Sequence, residues 1–71
     1  MISDATIGVA KYLHDKIESA YDCIPQVIKK GNSIGFNVDG REAGKVEQVS
    51  IRDIRSTFYA PSKEELLPVF A

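Results

Sequence analysis

The sequence is poor in the residues that carry most protein chemistry. Its 71 residues include one cysteine, one histidine, one methionine and no tryptophan. A lone cysteine cannot form an intramolecular disulfide or a thiolate metal cluster, which fits a reducing compartment. With a single histidine as well, the chain offers few groups for nucleophilic or acid–base chemistry. The sequence therefore predicts no metal site, no cofactor and no enzyme activity, and a structural, inert role for Cys23.

Long apolar runs are also absent. A membrane-spanning helix needs about 20 largely apolar residues, whereas Asp4, Gly8 and Lys11 interrupt the apolar residues near the N-terminus. The same interruptions leave no apolar core for a secretory signal peptide. We therefore expect a stand-alone cytoplasmic protein, of a bacterium or an infected cell, with no membrane partner.

Neither positive nor negative charge predominates in the sequence. Nine Lys and Arg residues against ten Asp and Glu residues give a net charge of −1. This balance lacks the basic footprint of a typical nucleic-acid-binding domain. The charges are unevenly spread, because residues 1–24 are net acidic and residues 25–58 are net basic. The sequence predicts a modestly acidic helix over a modestly basic sheet.

What is present is the composition of one small globular domain, residues 1–71. Hydrophobic residues make up 44% of the chain and charged residues 27%, as in folded proteins. A chain of this size buries only about 60% of its unfolded surface, so its core is slender. Association would add to that core, and a homodimer is favoured over a monomer.

Apolar residues at steps of three or four predict a helix from residue 3 or 4 to residue 22 or 23. Ser3 or Asp4 supplies the N-cap, and Pro25 disfavours a helical residue before it. Gly8 inside a helix costs about 1 kcal/mol relative to alanine. A close approach between helix and sheet at Gly8 would explain its presence.

Residues 28–40 predict a β-hairpin that runs into a second turn. A strand over residues 26–30 leads to Gly31-Asn32, a dipeptide that suits the positive φ angles of a two-residue turn. The next strand alternates apolar with small or polar residues, so one face packs on the helix. Its apolar members are Ile34, Phe36 and Val38. Asp39-Gly40 is a second strong turn signal.

The remaining chain allows more than one interpretation. Arg41 to Gly44 suggests a loop, followed by a third strand that starts at Lys45 and continues through a bulge toward Phe58. A capping box at residues 50–53 also permits a helix over residues 51–59. We favour the strand because Val, Ile, Thr, Phe and Tyr dominate this segment.

A second capping box at residues 62–65 predicts a short C-terminal helix, which Pro68 ends. The predicted fold is therefore α+β, with the order α-β-β-β-α. An N-terminal helix packs on a three-stranded antiparallel β-meander, and a short helix follows at the C-terminus.

The hairpin segment Ile-Lys-Lys-Gly-Asn-Ser-Ile-Gly-Phe-Asn-Val, residues 28–38, resembles the basic-Gly-Asn-Ser-x-Gly-apolar-polar-apolar signature of swapped-hairpin antitoxins and transition-state regulators. That family dimerises through such hairpins and grips DNA with their basic strands. The resemblance implies contacts at Lys29, Lys30 and Asn37. The chain departs from the family at Asn37, where Arg is usual, and at Asp39, near the usual Pro.

The predicted order α-β-β-β-α also resembles the double-stranded-RNA-binding domain. The second helix of that domain begins with a lysine-rich run that contacts the nucleic acid. The corresponding start here is Ser50-Ile51-Arg52-Asp53, which carries one Arg and one Asp.

Two surfaces are candidates for binding a partner. The first is basic, and its members are Lys29, Lys30, Arg41, Lys45, Arg52 and Arg55. Acidic residues lie between them along the chain, so these charges also fit a solubilising role. The second is the apolar C-terminal stretch that contains Leu67 and Phe70. It either latches onto the chain's own core or lies in a neighbour's groove.

The leading functional prediction is a non-enzymatic interaction or regulatory protein. It would bind and modulate or inhibit another macromolecule through protein–protein contacts, as small proteins of phages and mobile elements do. The alternative is a nucleic-acid-binding regulator that uses the hairpin. A third hypothesis is a small enzyme whose site is built across a dimer interface from His14 of one chain and a Glu or Cys of the other.

Overall fold

The computed structural model describes residues 2–50 and 52–59 as one helix packed on a four-stranded antiparallel sheet. The elements are α1 (Asp4–Tyr21), β1 (Gln26–Lys30), β2 (Ser33–Val38), β3 (Arg41–Gln48) and β4 (Ile54–Phe58). The strands lie in the sheet in chain order, so β1 and β4 form its edges. The α+β class, the N-terminal helix and the antiparallel meander are confirmed. The sheet has four strands where three were predicted.

Helix α1 begins at the predicted cap. The Ser3 Oγ accepts a hydrogen bond from the Thr6 backbone N–H at 3.2 Å, which satisfies one of the first free donors of the helix. The helix ends at Asp22, whose φ of 56° is left-handed. A Cβ placed on Gly8 would meet nothing within 4 Å. The close helix–sheet approach predicted at Gly8 is therefore wrong.

Two tight turns set the register of the first three strands. Gly31 has a φ of 59°, and Lys30 pairs directly with Ser33 across the first turn. Asp39 and Gly40 both have positive φ, 53° and 77°, as a type I′ turn requires. Because this second turn needs only two residues, β3 begins at once. The segment predicted as a loop after Gly40 is therefore strand.

The chain reverses again after β3. The Val49 N–H donates to the Asp53 carbonyl at 2.9 Å, and the Asp53 N–H donates to the Ser50 carbonyl at 3.2 Å. These bonds close a turn where we predicted one long strand with a bulge, and β4 folds back on β3. The alternative helix over residues 51–59 is also wrong. The predicted C-terminal helix lies outside the described residues.

The core lies between α1 and one face of the sheet. Its buried hydrophobic members are Ala10, Leu13, Ile17, Ile34, Phe36, Val38, Ala43 and Val46. The three apolar residues predicted on β2 are all buried, which confirms that this face meets the helix. A register shift between Phe36 and Asn37 gives β3 one extra residue, Ala43, which is also buried.

The N-terminus of α1 is fixed over the end of β3 by Gln48. Its Oε1 accepts hydrogen bonds from the Ser3 backbone N–H at 2.9 Å and from the Thr6 hydroxyl at 3.0 Å. Thr6 is fully buried, so its hydroxyl depends on protein partners. The Gln48 N–H also donates to the Asn32 carbonyl at 3.0 Å. The helix therefore starts at the same end of the sheet as the β1–β2 turn.

The C-terminus of α1 is fixed at the opposite end. The Tyr21 hydroxyl donates to the Tyr59 carbonyl, just after β4. Burial raises the pKa of Tyr21 above its ordinary value of 10.0, and nearby Arg41 lowers it in part. The hydroxyl therefore keeps its proton, and donates, at neutral pH.

Replacing Gln48 by leucine should lower the free energy of unfolding by about 1–2 kcal/mol, because the Ser3 N–H and the Thr6 hydroxyl lose an acceptor. Chemical denaturation measures this loss. Gln26→Leu is the matched control, since Gln26 is exposed on β1 and should change stability by less than about 0.5 kcal/mol. Equal effects of the two substitutions would contradict the anchoring role of Gln48.

No helix in the described part of the chain has the length and apolar character that crossing a membrane requires.

Candidate functional site: a groove between helix α1 and strand β1

The helix is not centred on the sheet. It packs on β3 and also on β4 and β2, whereas no Cα of α1 lies within 8 Å of a Cα of β1. This offset leaves an open groove of about 330 Å³ between α1 and β1. The sheet side of this α1–β1 groove is formed by Val27, Lys29, Ile34 and Phe36. The helix side is formed by Ile7, Ala10, Lys11, His14 and Asp15.

Strand register determines which side chains of β1 enter the groove. Val27 pairs with Phe36, and Lys29 pairs with Ile34. Directly opposed residues project from the same face of a sheet, so Val27 and Lys29 share the helix-side face with the core. The other residues of β1 project from the outer face. Val27 is 47% exposed above the almost fully buried Phe36, so the groove has an apolar floor and an open top.

The two walls of the groove run side by side. Thr6 lies at the level of Gln48, to which it is hydrogen-bonded, and the four or five helical residues from Thr6 to Ala10 or Lys11 advance about 6–7.5 Å. Two residues of a strand also advance about 6.8 Å. The same distance along β3 therefore leads from Gln48 to Val46, which pairs with Ile34. Lys11 therefore lies at the level of Ile34, and hence of Lys29.

One turn further along the helix, His14 and Asp15 reach the level of Phe36 and Val27. The contact between the His14 and Phe36 rings, edge to face with centroids 5.8 Å apart, confirms this level. His14 Nδ1 lies 3.6 Å from Asp15 Oδ1. The groove thus has two chemically different ends, one flanked by Lys11 and Lys29 and the other by His14 and Asp15.

Strand β1 also has an open backbone edge. In a two-residue hairpin the residues that flank the turn form a hydrogen-bonded pair, so Lys30, Ile28 and Gln26 bond to β2. The N–H and C=O groups of Val27 and Lys29 point away from β2. In the described part of the chain β1 has a strand neighbour on one side only. The edge therefore offers two donors and two acceptors beside the groove.

The structure divides the predicted basic surface. Lys30, Lys45 and Arg55 share the outer face of the sheet with Asn37, as their strand register requires. Lys29 instead lines the groove. Arg41 starts β3 and lies near Tyr21.

The remaining predicted contact residues are Arg52, Leu67 and Phe70. Arg52 is exposed in the connection between β3 and β4. Leu67 and Phe70 lie outside the described residues.

On the outer face, Glu47 is directly opposite Arg55, and Arg55 also approaches Asp53 with 3.4 Å between Nη2 and Oδ2. The acidic residues that alternate with the basic ones in sequence therefore also lie beside them in space.

One group of three residues among those described could offer ligands to a metal ion. The ligand atoms of His14, Asp15 and Glu18 lie within 4.8 Å of one another. Helical spacing alone brings such residues together, and the Asp15 side chain is 83% exposed. The arrangement does not by itself indicate a metal site. Cys23 is exposed just after the helix, so it lacks the buried position that is typical of a structural free cysteine.

Sequence reasoning missed most of the groove. Lys29 was predicted as a contact and Ile34 and Phe36 as residues that pack on the helix, whereas Ile7, Lys11, Asp15 and Val27 were not predicted to line a site. Ile7 gave the clearest sequence signal for the groove, because it lies beside the apolar stripe of α1. In the structure its side chain is 39% exposed. A second apolar position next to the core stripe indicates that one flank of the helix has a further contact to make.

No protein-family model, curated protein or solved structure matches the chain.

Proposed function

We propose that this chain is a non-enzymatic cytoplasmic interaction protein that binds a partner protein and modulates or inhibits it, as small proteins of phages or mobile elements do. The observation that supports this proposal is the α1–β1 groove beside an open sheet edge. Its role is to hold part of the partner, and its chemistry is recognition rather than catalysis.

The shape and composition of the groove fit recognition. It is a concave site of about 330 Å³ with an apolar floor and a few charged groups on its rim, the usual make-up of a binding pocket. Ile7 on the helix side and Val27 on the sheet side both stay partly exposed. Covering these apolar side chains would release about 25 cal/mol for each Å² removed from water.

The outer face supports a second candidate less well. Lys30, Lys45 and Arg55 lie there on three different strands and could contact phosphates of a nucleic acid. However, Glu42 and Glu47 project from the same face, and their carboxylates oppose phosphate binding. A nucleic-acid-binding regulator therefore remains the alternative function.

Neighbouring positions on β1 provide a matched test. Val27 is 47% exposed and lines the groove, whereas Ile28 is 40% exposed and projects from the outer face. In affinity capture followed by mass spectrometry, Val27→Asp should reduce recovery of the partner at least about tenfold, because a carboxylate in the contact loses its hydration. Ile28→Asp should recover the same partner as the unmodified chain.

Three outcomes would contradict the proposal. The first is equal recovery by Val27→Asp and the unmodified chain, with both variants folded by circular dichroism. The second is loss of recovery by Ile28→Asp alone, which would place the contact on the outer face. The third is recovery of nucleic acid in place of protein, abolished by Lys30→Ala combined with Lys45→Ala. That result would favour the alternative function.

A further inference from the structure

We propose that the α1–β1 groove takes an extended segment of the partner protein with the pattern acidic–x–apolar, which adds to β1 as a fifth antiparallel strand. This inference rests on the proposed function and specifies its ligand. The segment pairs with the free backbone edge of β1, runs antiparallel to it and is recognised at two side-chain positions.

The backbone of β1 supplies the first part of the argument. Val27 and Lys29 direct their N–H and C=O groups away from β2, as the hairpin register requires. A segment that pairs with both residues makes four main-chain hydrogen bonds. Strand addition of this kind gives affinity through the main chain and specificity through alternate side chains. An antiparallel segment continues the pattern of the whole sheet.

Side-chain alternation supplies the second part. Residues of the added strand opposite Lys29 and Val27 project from the helix-side face, into the groove. They are two positions apart, and the residue between them projects from the outer face. Because the added strand runs against β1, the residue opposite Lys29 comes first in its sequence.

The charges of the groove decide which residue occupies each position. Lys29 and Lys11 lie at one level and attract a carboxylate placed opposite Lys29. At the next level Val27 lies beside the apolar floor and Asp15 on the rim. An apolar side chain gains contact there, while a second carboxylate would be repelled by Asp15. The preferred order is therefore an acidic residue, any residue and an apolar residue.

The same charges disfavour a second copy of the chain as the occupant. If two β1 strands paired antiparallel about Ile28, each Lys29 would lie opposite Val27 of the other copy, and no carboxylate of β1 would meet either lysine. The two Lys29 side chains would then be diagonal neighbours on the same face of the ladder. Lysines on an edge strand commonly prevent such pairing, whereas an acidic segment neutralises them.

Synthetic peptides test the pattern directly. The probe is the blocked, fluorescein-labelled peptide Thr-Thr-Glu-Thr-Leu-Thr-Thr. One control, Thr-Thr-Glu-Leu-Thr-Thr-Thr, has the same composition but places Glu and Leu on opposite faces of a strand. A second control replaces Glu with Lys. Titration followed by NMR should give a dissociation constant about tenfold lower for the probe than for either control.

Amide hydrogen exchange distinguishes strand addition from other modes of binding. With the probe bound, the amides of Val27 and Lys29 should exchange at least about tenfold more slowly, because they gain acceptors. The Ile28 amide already bonds to β2, so its rate should change little. Lys29→Glu should abolish the preference for the Glu peptide over the Lys peptide. Lys30→Glu, on the outer face, should preserve it.

Several results would overturn this inference. Equal affinity for the probe and its rearranged control would contradict the proposed strand register. Binding without slower exchange at Val27 and Lys29 would contradict the proposed backbone contact. If those amides are already slow in the free chain, the edge is occupied. A dimer mass in light scattering would then identify the occupant as a second copy. Faster exchange of these amides in the double variant Leu67→Asp, Phe70→Asp would identify it as the chain's own C-terminus. Because no natural partner is involved, these results are independent of the capture experiment.

Discussion

Replacing Phe36 by alanine is expected to remove a large part of the stability of this domain. Phe36 is 2% exposed, belongs to the largest fully buried side chains and meets the edge of the His14 ring. Truncation of a buried phenylalanine costs about 3–5 kcal/mol through lost burial and the cavity that remains. A domain of 71 residues has only about 4–11 kcal/mol in total, at about 0.05–0.15 kcal/mol per residue.

Thermal unfolding is the direct measurement of this effect. The expected loss corresponds to a fall in Tm of roughly 12–40 °C for a domain of this size. Val27→Ala is the control on the same face, because Val27 is already half exposed and should lose less than about 1 kcal/mol. Phe36→Leu keeps most of the volume and should fall between the two. A Phe36→Ala variant as stable as Val27→Ala would contradict the central place of Phe36 in the packed core.

The parts of the fold that were predicted correctly depend on local signals. Ser3 caps α1 because its hydroxyl reaches the Thr6 N–H within one turn, and that spacing is visible in the sequence. The first hairpin follows from Gly31-Asn32 between alternating residues. The helix and the first two strands could therefore be identified before any tertiary contact was known.

The start of β3 could not be predicted in this way. Polar residues and a glycine after Asp39-Gly40 are typical of a loop, yet this segment is strand. Gly44 is required by contacts with α1 and β4, which come from distant parts of the chain. The sequence shows the glycine, whereas the reason for it is tertiary.

The prediction for the connection before β4 was wrong for a different reason. Ser50 and Asp53 fit the first and fourth positions of a capping box. They equally fit a turn closed by the hydrogen bond from the Asp53 N–H to the Ser50 carbonyl. Short polar side chains compete for both arrangements, so the local sequence could not separate a helix start from a chain reversal.

The candidate site was predicted only in part. Alternation along β1 implies that Lys29 and Lys30 project from opposite faces, so grouping them on one basic surface was avoidable. The groove itself depends on where α1 lies across the sheet, and that position follows from packing on β3 and β4. No local pattern determines this offset.

Replacing Gly44 by alanine is the second substitution expected to have a large effect. An added Cβ would lie 2.7 Å from the Thr57 carbonyl oxygen and 2.9 Å from Ile17 Cδ1. Both distances are shorter than a real Cβ contact. The carbonyl belongs to the backbone of β4, and Ile17 is fully buried, so neither can move freely. We expect a loss of about 3 kcal/mol, at the upper end of the usual cost of overpacking.

The same substitution at Gly8 supplies the matched control. It adds the same methyl group to a position with nothing within 4 Å and removes the entropic cost of glycine in a helix. Gly8→Ala should therefore raise the free energy of unfolding by about 0.5–1 kcal/mol. Urea denaturation of both variants should give changes of opposite sign. Similar values would mean that α1 does not approach the sheet at Gly44, and the offset that opens the groove would then lose its structural basis.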